Sequence, residues 1–192
     1  MHKLLILDKE GAITVPKSGA KFVQNPTDQK LLPRTKETIA RYATDGWKIA
    51  IVSNQCEVAA GHKTLKDAIQ EMSYCLFLID YSSLMYAYFC PDFEGRECYQ
   101  VGWEPKVNQP TPCVYEVRYK HVHAYCRHLV GSFRKPGPGM IEAVSFFHAN
   151  EPPLILFVSD RAEDKAAAKS AGAYFLSSEE WRGDRSSVWT MK

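Results

Sequence analysis

The chain has no long apolar run, no internal repeat, no low-complexity tract and almost no net charge. Each absence removes a class of function. Its first hydrophobic stretch, Leu4-Leu5-Ile6-Leu7, is far shorter than a signal-peptide core or the roughly 20 apolar residues of a membrane span. The 24 basic and 22 acidic residues leave a formal charge of +2, so no global field draws the chain to nucleic acid or to a membrane surface. No G-x-x-x-x-G-K-[ST] loop is present, which excludes a P-loop kinase centre from this chain. Six cysteines without a secretory signal point to a reducing cytoplasm, with thiols free or on metal rather than paired.

What is present suits a single domain spanning residues 1–192, because 45% hydrophobic and 24% charged residues can close one ordinary core. Two apolar runs end in acids. The first is Leu4-Leu5-Ile6-Leu7-Asp8-Lys9-Glu10-Gly11, and the second is Leu154-Ile155-Leu156-Phe157-Val158-Ser159-Asp160, with Asp164 four residues on. Continuous apolar runs of this kind read as strands buried on both faces of a parallel sheet. Ligands collect beyond the carboxyl ends of such strands. The two acidic ends therefore aim at one crevice, where a hard divalent cation would sit.

Between them the pattern alternates. Strands are expected at residues 3–7, 47–52, 86–89 and 154–158, and helices at 36–44, 64–76, 140–148 and 163–171. Thr64 with Asp67 reads as a capping box. Residues 11–33 carry Gly, Pro, Asn and Asp at short intervals and read as a long functional loop. Residues 91–112 are polar and turn-rich, part of a loop-rich insertion at about 90–130. Such alternation predicts an α/β fold with right-handed crossovers on a mainly parallel sheet.

Four features fall at one sheet edge in that arrangement: Asp8-x-Glu10-Gly11, Ser53-Asn54, Lys135 within Arg134-Lys135-Pro136-Gly137, and Asp160-x-x-x-Asp164. Their types and order resemble the haloacid dehalogenase (HAD) superfamily of phosphohydrolases. That family carries a strand-end D-x-D-G-T, a strand-end Ser/Thr, an isolated Lys and a strand-end acidic pair. The run 159–164 with Lys169-Ser170-Ala171-Gly172-Ala173 behind it, and the run 134–140, are similar to the histidinol-phosphate and heptose-bisphosphate phosphatase branch. Lys17-Ser18-Gly19, Phe22, Pro26, Asp28, Leu32-Pro33 and Gly46-Trp47-Lys48 through Ser53-Asn54-Gln55 are similar to the 3′-phosphatase domain of polynucleotide kinases. The resemblance covers residues 3–76 and 131–176 and implies a Rossmann-like three-layer sandwich with a small cap or none.

It also implies roles. Asp8 would attack phosphorus to form an aspartyl-phosphate, and Glu10 would serve as acid and then base. Ser53, Asn54, Arg134 and Lys135 would bind the phosphate oxygens. Asp8, Glu10 (through its carbonyl), Asp160 and Asp164 would hold Mg²⁺ directly or through water, with Asp164 alternatively orienting Lys135. One departure stands out: the family's second acid is Asp, whereas this chain has Glu10, followed by Ala12 in place of Thr. The extra methylene adds about 1.5 Å, enough to matter for in-line proton transfer.

The expected activity is Mg²⁺-dependent phosphomonoester hydrolysis, first on a polynucleotide 3′ end because a small cap leaves the crevice open. The alternatives are a sugar- or histidinol-type small-molecule phosphatase, or a silent member that binds a partner through its insertion. The insertion holds Cys90, Cys98, Cys113, Cys126, His121, His123 and His128. Related heptose-bisphosphate phosphatases hold structural zinc near here, so Cys90 and Cys98 are the first candidates for Zn²⁺, against reduced thiols as the alternative. Arg118, Lys120, Arg127, Arg134 and Lys135 interleave with Tyr119, Tyr125 and Phe133. That pattern fits a nucleic-acid groove or a solvated amphipathic segment.

Overall fold

A computed structural model describes residues 2–79, 85–105, 115–149, 151–162 and 164–183. Its strands are β1 (Lys3–Asp8), β2 (Thr14–Val15), β3 (Lys30–Leu31), β4 (Lys48–Asn54), β5 (Met85–Cys90), β6 (Tyr99–Pro105), β7 (Tyr115–His121), β8 (Leu154–Ser159) and β9 (Tyr174–Ser177). Its helices are α1 (Thr35–Thr44), α2 (Leu65–Ile79), α3 (Val122–Tyr125), α4 (Gly139–His148), α5 (Asp164–Ser170) and α6 (Ser178–Gly183).

Seven strands form one sheet in the order β7-β6-β5-β4-β1-β8-β9. Strand β1 pairs in parallel with β4 on one side and β8 on the other. With a strand on each edge and helices on each face, nothing from Leu4 to Leu7 meets water. That is why the run is apolar without alternation.

The pleat sends neighbouring side chains to opposite layers. Leu5, Leu7, Ile49, Ile51, Leu156 and Val158 pack with Ile39 and Tyr42 of α1, Met72 and Cys75 of α2, and Trp181 of α6. Leu4, Ile6, Ala50, Val52 and Phe157 pack on the other face with Met140, Ile141 and Val144 of α4 and Ala167 of α5. Each such Leu or Ile contributes about 1.5–3 kcal/mol by leaving water. The result is a three-layer α/β sandwich of Rossmann type.

The capping box forms as expected. Thr64 Oγ1 accepts from the Asp67 N–H at 3.1 Å, and Asp67 Oδ2 accepts from the Thr64 N–H at 3.2 Å. Helix α1 stops at Gly46, whose φ of +80° lets the chain turn back so that the Trp47 N–H reaches Tyr42 O at 3.0 Å.

The segment 90–130 differs from its loop-rich expectation. Strands β6 and β7 extend the main sheet as an antiparallel hairpin, with Tyr99 opposite His121. Aromatic and β-branched residues carry the pairing despite a polar composition. The loop 11–33 also contains a small antiparallel pair, β2 with β3. Expected boundaries shift by one to three residues, and the expected helix start at Glu163 lies outside the described residues. Among the described residues, no helix is long and apolar enough to cross a membrane.

Candidate active site

From β1 the chain crosses to β4 on one side and later to β8 on the other, so the strand order reverses at β1. A crevice opens beyond the carboxyl ends at such a point. A cleft of about 640 Å³ occupies it, lined by Asp8, Glu10, Asn54, Arg134, Lys135, Asp160 and Asp164 among others. Seven of the eight residues expected at the site thus share one cavity. The eighth, Ser53, is fully buried directly beneath Glu10.

Asp8, only 3% exposed, ends β1. Its Oδ1 lies 2.6 Å from Lys135 Nζ and accepts the Lys9 backbone N–H at 2.9 Å. Its Oδ2 accepts from Ser159 Oγ at 3.1 Å. Asp164 completes the set: it accepts from Lys135 Nζ at 2.8 Å, and its Oδ2 lies 2.8 Å from Ser159 Oγ, whose single proton serves one of the two carboxylates at a time. Burial raises the Asp8 carboxyl to about 6, and the Lys135 ammonium only partly opposes that rise. Lys135 is pushed down by its own burial, but the Asp8 and Asp164 carboxylates outweigh this and hold its pKa above the usual lysine value. Ser159, the last residue of β8, was not singled out in the sequence, although it directly precedes the second acidic end.

Glu10 points the same way but meets different partners. Lys9 Nζ donates to its Oε1 at 2.8 Å, Gln55 Nε2 donates to the same oxygen at 2.7 Å, and Ser53 Oγ donates to Oε2 at 2.8 Å. Burial pushes the Glu10 carboxyl up, but Lys9 beside it more than compensates and brings it down to about 2. Glu10 keeps 37% of its side chain open to the cleft. The Ser53 hydroxyl, expected to face phosphate, is engaged by this carboxylate. Lys9 itself has no exposed surface and also meets Glu71 Oε1 of α2 at 2.7 Å. Lys63 closes the group by pairing with Glu71 and donating to Gln55 Oε1 at 2.7 Å.

The loop carrying Lys135 is fixed from below. Asn54 Nδ2 donates to Lys135 O at 2.9 Å while Asn54 Oδ1 accepts the Lys135 N–H at 3.0 Å. The Asn54 side chain therefore clamps the lysine loop, a positioning task rather than the direct phosphate contact expected of it. Arg134 lies at the cleft wall beside Cys56, its guanidinium 5.5 Å from the Phe93 ring centre.

Asp160 follows β8, and its carboxylate packs against the Cα of Gly11. A Cβ at position 11 would collide with it, and φ is +77° there, so only glycine fits. Asp8 and Asp160 thus meet the same turn. Among the described residues no three His, Cys, Asp or Glu side chains gather into a complete metal cluster. A cation here would take two carboxylates and a backbone carbonyl, with water and substrate oxygen completing its shell. That oxygen-only, partly hydrated donor set fits Mg²⁺. Asp164 is committed to Lys135 and Ser159, so it fits the role of orienting the lysine rather than that of a direct ligand.

The zinc expectation finds no support. Cys90 and Cys98 are free thiols in the core layer under α4, and burial raises the Cys90 thiol to about 12. Cys113 lies outside the described residues. Such thiols are inert in their present setting. The interleaved basic and aromatic set does not form a single groove either. Phe133 is fully buried and Lys135 nearly so, while Tyr119 and Tyr125 are exposed and take no part in lining the cleft. Of that set only Arg134 and Lys135 reach it.

Comparison with known proteins gives a consistent result. The chain is 23% identical to the D-glycero-beta-D-manno-heptose-1,7-bisphosphate 7-phosphatase of Pseudomonas putida over 187 residues, 95% of this chain and 86% of that protein. It is also 23% identical to the D-glycero-D-manno-heptose-1,7-bisphosphate 7-phosphatase of Thermosynechococcus vestitus, covering 94% of this chain and 81% of the relative. A crystal structure of the D,D-heptose 1,7-bisphosphate phosphatase from B. bronchiseptica, complexed with magnesium and phosphate, shares the fold. Its TM-score is 0.59 at 20% identity, over 90% of this chain and 78% of that one. The model of the polynucleotide kinase 3 phosphatase family matches residues 3–181. With the match running from the first strand to the last helix, the chain belongs to the polynucleotide kinase 3 phosphatase family, within the HAD-like phosphatases.

Proposed function

We propose that this protein is a Mg²⁺-dependent phosphomonoester hydrolase that works through an aspartyl-phosphate and acts on a small phosphorylated molecule of the sugar-phosphate kind. The observation that carries the reading is the buried Asp8–Lys135–Asp164 set at the switch point of the sheet, with Glu10 lining the same cleft and Ser53 holding Glu10 from beneath.

Asp8 Oδ attacks phosphorus and the bond to the leaving alcohol oxygen breaks. Mg²⁺, when bound by Asp8, the Glu10 carbonyl and Asp160, would neutralise charge on the phosphoryl oxygens. Lys135, fixed by Asp164 and by the Asn54 clamp, offers its ammonium to a non-bridging oxygen without reorganisation. In the second half-reaction the Glu10 carboxylate accepts a proton as water attacks the aspartyl-phosphate. Its partners hold it ionised and so able to accept a proton, but a carboxylate held that low is a weak base while Lys9 stays in contact. To protonate the leaving alcohol in the first half, it must take up a proton and loosen its contact with Lys9.

A small substrate is supported by the relatives, which are heptose-bisphosphate phosphatases aligned over most of their length. A concave cleft of about 640 Å³ is also of the size that small ligands fill. The family's name favours a second reading, a polynucleotide 3′ end as substrate. The dispersed basic and aromatic residues weigh against it.

A screen with Mg²⁺ decides among these. Sugar mono- and bisphosphates, p-nitrophenyl phosphate and a 3′-phosphorylated DNA oligonucleotide are compared by phosphate release. Sugar phosphates as the best substrates uphold the reading, and the oligonucleotide as the best substrate replaces it with the second. Release from none of them leaves a binding protein with a silent HAD-like site.

A further inference from the structure

Beneath Glu10 lies a buried group of charges that the reaction scheme above does not use. Lys9 is fully buried, although it sits between two acids at a strand end. Strand alternation turns it away from the cleft, into the layer of α2. There it meets Glu71, which is 1% exposed and lies on the same helical stripe as Ala68, Met72 and Cys75. Lys63 meets the other oxygen of Glu71, and Gln55 lies between Lys63 and Glu10. Two cations balance two carboxylates, so the group is neutral as a whole.

Burying the Lys9–Glu71 pair is expensive, and an apolar substitute of similar volume would often serve stability as well or better. What the charges supply instead is a fixed direction for the Glu10 carboxylate. Oε1 is held by Lys9 and Gln55, and Oε2 by Ser53. The chain to Glu10 is one methylene longer than an aspartate's, so without these donors its carboxylate would sample more rotamers.

Resting on the phosphatase reading, we propose that Lys9, braced by Glu71 and Lys63, is a positioning residue that sets the Glu10 carboxylate for proton transfer. Lys9 touches neither substrate nor phosphorus. It acts through Glu10 alone, and Glu71 acts through Lys9.

The test is a double-mutant cycle on p-nitrophenyl phosphate hydrolysis with saturating Mg²⁺. Lys9→Met is expected to lower kcat about 10- to 100-fold, the size of loss that a displacement of about 1 Å brings, with KM within about twofold. In a Glu10→Gln background the same substitution should cost less than about twofold, because a residue that acts through Glu10 has nothing left to position. Lys9→Arg should recover a good part of kcat. Should Lys9→Met fail to fold, Glu71→Gln takes its place in the cycle with the same expected pattern. Additive losses in the cycle, a KM effect without a kcat effect, or no effect of Glu10→Gln would each overturn the inference while wild-type turnover upholds the phosphatase reading. Absence of wild-type turnover on every substrate overturns that reading, and the inference with it.

Discussion

Lys135 Nζ lies 2.6 Å from Asp8 Oδ1, and the same ammonium serves Asp164 at 2.8 Å. One buried cation therefore answers two buried carboxylates. Burial raises the Asp8 carboxyl, and an ammonium shared with Asp164 only partly opposes that rise.

Asp8→Asn should abolish turnover, with a loss on the order of 10³-fold or more, since an amide cannot form the aspartyl-phosphate. Stability should move the other way. The folded pKa of about 6 lies above the unfolded value of 3.8, so between those pH values the native state binds more protons. Stability then falls as pH rises through the window, and the cost of the ionised group persists at pH 7. Removing the carboxylate should leave the melting temperature at pH 7 unchanged or higher, because Lys135 retains Asp164. Phosphate release and thermal melts on the same preparation check both halves, and a melting temperature several degrees lower would contradict the account.

Lys135→Met should be the most destabilising of the changes at the Asp8–Lys135–Asp164 set. It strands Asp8 and Asp164 in a dry environment, a situation that costs about 3–5 kcal/mol. Asp164→Asn should cost clearly less, because Lys135 keeps Asp8. Urea unfolding of both variants at pH 7 gives the ranking. Repeating the Lys135→Met measurement near pH 5 should narrow its deficit as Asp8 takes up a proton.

Glu10→Asp restores the acid usual in the family, yet the pocket here is shaped around the longer side chain. Lys9, Ser53 and Gln55 all reach the carboxylate at 2.7–2.8 Å. An aspartate would fall about 1.5 Å short of them. The expected outcome is a kcat loss of about tenfold or more, read from steady-state kinetics with Mg²⁺. A rate gain would mean that the surrounding donors restrain the acid rather than aim it.

Strand ends were the legible part of this chain. Leu4–Leu7 and Leu154–Val158 carry unbroken apolar runs because each is buried on two faces, and that alone places Asp8 and Asp160 at one crevice. Less legible was the hairpin of β6 and β7: Tyr99, Val101 and Trp103 alternate with Gln100, Gly102 and Glu104, a strand signal that the polar, turn-rich residues on either side obscure. Helix α6 went unread although Ser177 and Glu180 form a capping pair, with the Glu180 N–H donating to Ser177 Oγ at 3.2 Å. The charges of Lys9, Lys63 and Glu71 are hard to place from sequence because a lone charged side chain reads as solvated. A signal did exist: Lys9 has the inward parity of the strand, and Glu71 falls three residues after Ala68 on the apolar stripe of α2. Two opposite charges on buried faces of neighbouring elements require each other.

His148 offers a pH dependence remote from the cleft. Its Nε2 lies 2.7 Å from the Tyr88 hydroxyl, its ring stacks on Tyr86 at 4.9 Å, and burial together with Lys48 and Lys120 lowers it to about 4. The unfolded chain takes up a proton near 6.5 whereas the native state resists until about 4. Stability therefore rises with pH across that window and is lost as pH falls from 6.5 towards 4. The side chain is only partly buried, so solvent screens the effect, and about 1–2 kcal/mol is the size to expect. Replacing His148 with Gln, which can still pair with Tyr88, should flatten the stability profile between pH 6.5 and 4 by that amount. Urea midpoints measured at half-unit intervals would show it, and an unchanged slope would mean that the imidazole is protonated in the native state.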